Sequence, residues 1–106
     1  MTQPPAAIAA LIDATNAADT EAFVSAFTDD AYVRDGSREF HGHDGVRGWD
    51  STDNIGVGMR FELLSWSATG GDDYVVTIRA TSRRFNGTGD MRVTLRDGQI
   101  VRLEVG

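Results

Sequence analysis

The chain of 106 residues is 41% hydrophobic and 25% charged, which is the composition of one ordinary globular domain. Its formal net charge is −6 and its 10 cationic side chains are all arginines, so a nucleic-acid-binding surface is not predicted. The absence of cysteine excludes disulfides and thiolate metal sites. No apolar run approaches the ~20 residues of a membrane span. No basic segment precedes the first apolar run, so we predict a cytoplasmic protein without a membrane partner.

Two helices are predicted in the N-terminal third. Apolar residues recur at three-and-four spacing over residues 8–15, which is one face of a first helix. Residue 19 or 20 is suited to cap a second helix. In that helix Phe23 and Phe27 are i,i+4 neighbours, and we expect it to stop at about residues 28–30.

A short hairpin and a third helix follow. Residues 32–35 are predicted as the first strand and Arg38–His41 as the second, with a glycine turn between them. His43-Asp44 is predicted to begin a helix that turns Trp49 inward. The polar, glycine-containing residues 50–58 have no clear period and are predicted to form a mobile loop.

The remainder of the chain reads as an antiparallel meander of four strands. Apolar and polar residues alternate in four runs, which is typical of strands with one buried and one wetter face. Turns are expected at Gly70-Gly71-Asp72, at Asn86-Gly87, which is a strong hairpin signal, and at Asp97-Gly98. The predicted element order is therefore ααββαββββ, an α+β domain in which a curved sheet wraps the helices.

Asp35 is the main candidate for chemistry. Because residues alternate sides in a strand, Asp35 shares the face of Val33 and is carried toward the apolar interior. Such a carboxylate must be hydrogen-bonded, paired or held at the mouth of a cavity. Two interpretations stay open: a general base, or an aspartate that ends the strand and caps the Gly36-Ser37 turn.

Five short segments resemble one known family. They are Asn16-Ala17-Ala18-Asp19, Phe27-Thr28-Asp29-Asp30-Ala31, Val33-Arg34-Asp35, Gly42-His43-Asp44-Gly45-Val46-Arg47-Gly48-Trp49 and Leu95-Arg96-Asp97-Gly98-Gln99-Ile100-Val101. In order and content they are similar to the ketosteroid-isomerase and SnoaL-like branch of the NTF2-like superfamily. The likeness covers nearly the whole chain.

The resemblance implies a fold and a cavity. The fold is a single NTF2-like (cystatin-like) cone over residues 1–106, with three helices on a strongly curved, mostly antiparallel sheet of about six strands. A conical cavity between sheet and helices would bind a small apolar or carbonyl-containing molecule. Its candidate lining residues, which are equally what a core requires, are Trp49, Met59, Phe61, Ile78, Met91, Val93 and Leu103.

The resemblance also implies a reaction. In ketosteroid isomerase an aspartate removes a carbon-bound proton, and a tyrosine and a protonated aspartate hold the enolate oxygen. Asp35 falls on the position of that base, whereas the two oxygen-binding positions fall on Leu11 and at or near Met91, which cannot donate hydrogen bonds. Since one such donor is typically worth ~10²–10³ in rate, steroid isomerisation by this route is not expected. We expect proton abstraction of an isomerase or polyketide-cyclase type or, alternatively, a non-catalytic ligand-binding or dimerisation module with a structural Asp35.

Histidines and the sheet surface supply the remaining candidates. His41 is a possible acid–base partner that could meet Asp35 across the hairpin, and His43 is expected in the loop before the third helix. Neither a cofactor nor a metal site is predicted. Leu64 and Trp66 are expected on the wet face of the sheet, where an exposed apolar pair suggests a partner surface. Since the family commonly dimerises through the sheet, we predict a homodimer.

Overall fold

The predicted element order is confirmed. The computed structural model describes residues 3–106; Met1 and Thr2, the first residues of the predicted domain, lie outside the described residues. The helices are α1 (Ala6–Asn16), α2 (Thr20–Ser25) and α3 (Gly42–Asp53), and a 3-10 turn follows at Ile55–Val57. The strands are β1 (Phe27–Asp35), β2 (Arg38–His41), β3 (Arg60–Gly70), β4 (Asp73–Thr81), β5 (Asn86–Arg96) and β6 (Gln99–Val105).

The strands form one mixed, mostly antiparallel sheet. Its order is β2-β1-β6-β5-β4-β3, and among residues 3–106 only the pairing of β1 with β6 is parallel. In that pairing Val33 lies opposite Leu103 and Asp35 lies opposite Val105. The first strand therefore lies between β2 and β6, and Asp35 ends beside the last residues of the final strand.

The core lies between the helices and the inner face of the sheet. The ring centroid of Phe23 lies 5.2 Å from that of Phe27 and 6.1 Å from that of Trp49, so aromatic packing joins α2, β1 and α3. At the edge of the sheet, the Asn16 amide accepts from the Phe61 N–H at 2.7 Å and donates to the Phe61 carbonyl at 2.9 Å. This pair of bonds fastens the end of α1 to β3.

The predicted end of the second helix is wrong. Helix α2 ends at Ser25, and Phe27 begins β1. The parallel pairing with β6 decides this, because Phe27 lies opposite Ile100 and the Ile100 N–H donates to the Ala26 carbonyl at 2.8 Å. Long-range pairing thus overrides the helical spacing of the two phenylalanines.

The predicted mobile loop at residues 50–58 is also wrong. Helix α3 continues to Asp53, because its polar residues are buried in a hydrogen-bonded network. The carboxylate of Asp50 accepts from Thr20 Oγ1 and from Asn54 Nδ2, both at 3.0 Å. Asn54 Nδ2 also donates to Thr15 Oγ1 at 3.0 Å. Asp50 and Asn54 are fully buried and connect α1, α2 and α3, so their polarity marks a buried network rather than a loop.

Two of the three predicted turns are confirmed and one is wrong. The turns at residues 71–72 and 97–98 are present, and Asp97 and Gly98 both have positive φ, of 53° and 81°, as a tight hairpin requires. Asn86 and Gly87 instead lie within β5, opposite Thr81 and Ala80. The turn occupies residues 82–85, where Ser82 Oγ accepts from the Phe85 N–H at 2.9 Å. A serine that bonds to the backbone forms the turn here in place of the glycine dipeptide.

A bulge in β3 changes the predicted faces of that strand. Leu63 lies opposite Ile78 and Ser65 opposite Thr77, so Leu64 is one extra residue. Beyond the bulge Trp66 lies opposite the buried Val76 and packs against the core. The prediction that Leu64 and Trp66 share the wet face of the sheet is therefore wrong, because the extra residue reverses the alternation.

Replacing Asp50 by alanine should destabilise the fold by roughly 2–4 kcal/mol, because the buried Asn54 donor and the partly buried Thr20 and Ile55 donors lose their acceptor. Urea unfolding followed by circular dichroism measures the change. The matched control is Asp13→Ala, an exposed aspartate of α1, expected to change stability by less than about 0.5 kcal/mol. Equal midpoints for the two variants would show that the network does not stabilise the protein.

Candidate functional site

A pocket opens at the end of the sheet where β1 and β6 stop. Strand β6 ends opposite Met91, whereas residues 86–90 of β5 continue beyond it and pair only with β4. The pocket has a volume of about 680 Å³, which lies in the usual range for small-molecule sites. Helix α3, the 82–85 turn and strands β3, β4 and β5 line it, together with the ends of β1 and β6 and Arg38 of β2.

The structure separates the predicted lining residues into two groups. Five of them line the pocket: Trp49, Met59, Phe61, Ile78 and Met91. Val93 and Leu103 lie opposite each other across β5 and β6, where their exposed fractions are 2% and 0%. These two residues belong to the closed core, because β5 and β6 are still paired at their level.

Asp35 lies at the polar end of the pocket. Its Oδ2 accepts a hydrogen bond from Trp49 Nε1 at 3.0 Å and another from Arg38 Nη2 at 3.0 Å. Among residues 3–106 no hydrogen bond reaches Oδ1, and the side chain is 28% exposed. One carboxylate oxygen is thus fixed by two donors while the other is available to a ligand.

A second aspartate joins two arginines beside Asp35. Arg38 Nη2 lies 2.8 Å from Asp53 Oδ1, and Arg38 Nη1 lies 3.1 Å from Asp53 Oδ2. Arg84 Nη1 lies 3.1 Å from the same Oδ1. The hydrogen bond from Arg38 is the main cause that lowers the pKa of Asp53, and burial opposes it. Asp53 is therefore a fixed anion that holds both guanidinium groups at the pocket.

Sequence reasoning missed Arg38, Asp53 and Arg84. Arg38 was predicted only as a residue of the second strand, and Asp53 fell in the predicted loop. The spacing of Asp53 from Trp49 is the signal that could have identified it. The two residues are four apart, so a helix that continues past residue 50 places both on one face.

The histidines lie away from Asp35. The register of the hairpin places His41 opposite Tyr32 and Asp35 opposite Arg38, so the expected meeting of His41 with Asp35 does not occur. The His41 side chain is 71% exposed, with its ring centroid 5.1 Å from that of Tyr32. His43 Nε2 lies 2.9 Å from the Phe27 carbonyl oxygen, and neither histidine is among the residues around the pocket. Across residues 3–106 no three histidine, aspartate or glutamate side chains converge as metal ligands.

The two positions expected to hold an enolate oxygen are apolar and buried. Leu11 and Met91 have exposed fractions of 1% and 2%. Only Met91 borders the pocket. Neither side chain has an N–H or O–H to donate.

Three helices on one face of a six-stranded mixed sheet form an NTF2-like cone. The sequence matches the SnoaL-like domain over residues 8–103, and the chain belongs to that family. Comparison with functionally curated proteins gave no match.

Several solved structures have the same fold. A candidate polyketide cyclase from Sinorhizobium meliloti is 26% identical, with a TM-score of 0.88 over 97% of this chain and 95% of that one. A candidate ketosteroid isomerase from Kribbella flavida is 16% identical, with a TM-score of 0.80 over 94% of this chain and 73% of that one. A computationally designed 17-OHP binder is 19% identical, with a TM-score of 0.83 over 97% and 90% of the two chains.

The helices within residues 3–106 give no candidate membrane span, since each is too short or too polar to cross a bilayer.

The lowered pKa of Asp53 predicts how stability depends on pH. Because the folded carboxyl releases its proton more readily than the unfolded one, its contribution is complete above the unfolded pKa of about 3.9 and is lost as pH falls through the folded pKa. Asp53→Asn should cost about 1–3 kcal/mol at pH 7, and the difference from wild type should shrink below pH ~4.

Urea unfolding at a series of pH values measures this difference, with Asp13→Asn as the control for replacing an aspartate. A difference that stays constant or grows in acid would contradict the ion-pair assignment of Asp53.

Proposed function

We propose that the protein binds a small apolar, carbonyl-containing molecule in the pocket and that Asp35 is a general base acting on it. The observation that carries the proposal is the placement of Asp35: its carboxylate borders a pocket with both apolar and charged walls, with Oδ2 fixed by Trp49 and Arg38 and Oδ1 free of bonds within residues 3–106. A base needs both properties, since it must be oriented and must still accept a proton.

In the proposed reaction Oδ1 of Asp35 takes a proton from the carbon next to the carbonyl group. The electron pair of the broken C–H bond forms the C=C bond of an enolate, and the carbonyl oxygen takes up the negative charge. An isomerase returns the proton to a different carbon; an aldol-type cyclase joins the enolate carbon to a second carbonyl of the same molecule. Apolar walls formed by Met59, Phe61 and Ile78 support either outcome, because they favour an apolar substrate over water.

The comparisons support a small-molecule ligand. The relative from Sinorhizobium meliloti is described as a candidate polyketide cyclase, and the designed protein binds 17-OHP. Both proteins share the fold of this chain, which supports a small-molecule ligand in the same fold.

One observation favours the alternative, a non-catalytic module with a structural Asp35. The carboxylate already pairs with Arg38 and accepts from the 3%-exposed Trp49, so it fastens β1 to β2 and α3. An aspartate with a purely structural role would make the same contacts. A test of reactivity therefore separates the two functions.

Asp35→Asn tests the base. In deuterated water, proton abstraction should exchange the α-hydrogens of apolar ketones, which NMR detects without knowledge of the natural substrate. The variant should abolish exchange and lose less than about 1 kcal/mol of stability, since asparagine still accepts from Trp49 and the lost pair is partly exposed.

The matched control is Asp30→Asn, which removes another arginine-paired aspartate of β1 without touching the pocket. Exchange that persists in Asp35→Asn, or a loss of several kcal/mol without any exchange in the wild type, would favour the structural module.

We also infer that the protein is a homodimer formed through the sheet. Leu64 supports this proposal, because the bulge leaves it 38% exposed. Trp66 packs partly against the core, so replacing it would disturb the fold as well as the surface. Leu64→Arg should therefore lower the sedimenting mass toward the monomer, because a buried apolar contact would receive a charge.

The control is Phe85→Arg, which changes a 53%-exposed apolar residue at the pocket instead of the sheet face. An unchanged mass in Leu64→Arg would remove Leu64 from the interface.

A further inference from the structure

The proposed reaction places a negative charge on the substrate oxygen, and no hydrogen-bond donor has yet been assigned to it. Proton transfer to Asp35 moves negative charge onto the carbonyl oxygen of the substrate, and that oxygen needs a hydrogen-bond donor. Leu11 and Met91 cannot supply one, so the donor must be elsewhere in the pocket.

Arg84 has the donors and the location. It lies in the 82–85 turn and borders the pocket. Its Nη1 is bonded to Asp53 Oδ1 at 3.1 Å and to the Thr52 carbonyl at 3.3 Å. Within residues 3–106 no bond uses its Nη2 or Nε groups, and the side chain is 61% exposed. The guanidinium is thus anchored on one side and has free N–H groups on the other.

The turn that carries Arg84 is itself held in place. The Arg83 N–H donates to the Val57 carbonyl at 3.0 Å, and Arg83 Nη2 donates to the Gly56 carbonyl at 2.7 Å. Ser82 Oγ accepts from the Arg84 N–H at 3.1 Å. Because the turn is bonded to residues 56–57 and the guanidinium to Asp53 and Thr52, the guanidinium is positioned before a ligand enters, which is the condition for effective charge stabilisation.

Asp53 sets the distance from Arg84 to the base. Its Oδ1 is shared by Arg84 Nη1 and Arg38 Nη2, and Arg38 Nη2 is in turn 3.0 Å from Asp35 Oδ2. Arg84 and Asp35 therefore border the same pocket and are joined by a bridge of two residues, Asp53 and Arg38.

The charges of this cluster also favour such a ligand. Asp35 and Asp53 balance Arg38 and Arg84, and the other charged lining residues, Arg34, Arg92, Asp90 and Glu104, also sum to zero, so the pocket has no net charge. When the proton moves to Asp35, the negative charge that Asp35 loses appears on the substrate oxygen beside Arg84. The total charge stays constant, and a cationic donor meets it where it forms.

We propose that Arg84 binds the oxygen of the ligand, which makes the ligand class an apolar molecule with a carbonyl or a weakly acidic enol or phenol oxygen. This inference rests on the proposed small-molecule function of the same pocket. Arg84 then takes the role that the family resemblance assigns to the positions of Leu11 and Met91.

The test uses 4-nitrophenol, an apolar ring whose phenol and phenolate forms absorb at different wavelengths. Titrating the bound dye with pH gives the ratio of the two affinities. Wild type should bind the phenolate about tenfold more tightly than the phenol, the effect of one charged hydrogen bond in a half-exposed site. Arg84→Met should bring the ratio to near one, and Arg84→Lys should give an intermediate value because it keeps the charge without the planar fork.

The control is Arg79→Met, an arginine of β4 that pairs with Glu62 away from the pocket. It should leave the ratio at the wild-type value, and circular dichroism confirms that each variant is folded.

The outcomes separate this inference from the proposed function. Phenol and phenolate bound equally by wild type, or a preference that persists in Arg84→Met, would overturn the role of Arg84 and leave the pocket intact. A dye that binds in neither form overturns the pocket and the inference together. A preference that depends on Arg84, found together with no ketone exchange, supports the oxygen site and counts against Asp35 as a base.

Discussion

Strand β1 lies inside the sheet because it pairs parallel to β6, with Val33 opposite Leu103 and Asp35 opposite Val105. The other described pairings are antiparallel, and this one joins the first strand of the chain to the last. The pairing ends α2 early, takes Phe27 into a strand and stops at Asp35. Strand β5 continues past this point, so its residues 86–90 extend the sheet beyond the end of β6 and form one side of the pocket.

Two adjacent faces of helix α3 contribute residues to the pocket and to the core. Trp49 and Asp53, four residues apart, face the pocket and bond to Asp35 and Arg38. Asp50 and Asn54, one residue further on, face α1 and α2 and form the buried network. The network therefore fixes the orientation of the helix about its axis. That orientation places the Trp49 indole within hydrogen-bond distance of the Asp35 carboxylate. Stability and site geometry depend on the same helical turn.

Local patterns in the sequence were enough for the element order, for Asp35 at a strand end and for Trp49 on an inward face. They were not enough where contacts between residues far apart in the sequence determine the local structure. Asn86-Gly87 has the composition of a turn, yet pairing with β4 draws it into a strand. Polar residues 50–54 resemble a loop because a buried hydrogen-bond network and an exposed segment have the same composition. The Arg38–Asp53–Arg84 cluster joins β2, α3 and the 82–85 turn, so no residue spacing in the sequence predicts it. Trp66 was assigned to the wrong face because alternation alone does not reveal a bulge.

Asn16 has a consequence for how this sheet meets other chains. Its side-chain amide imitates a peptide unit and occupies both backbone groups of Phe61 on the edge strand β3. An unpaired edge is normally a template for strand addition, which begins by recruiting those same groups. At Phe61, which itself borders the pocket, that template is interrupted, so a foreign strand has no free backbone groups to recruit there. A side chain at the end of a helix thus blocks strand addition at the part of the sheet edge that lies beside the pocket.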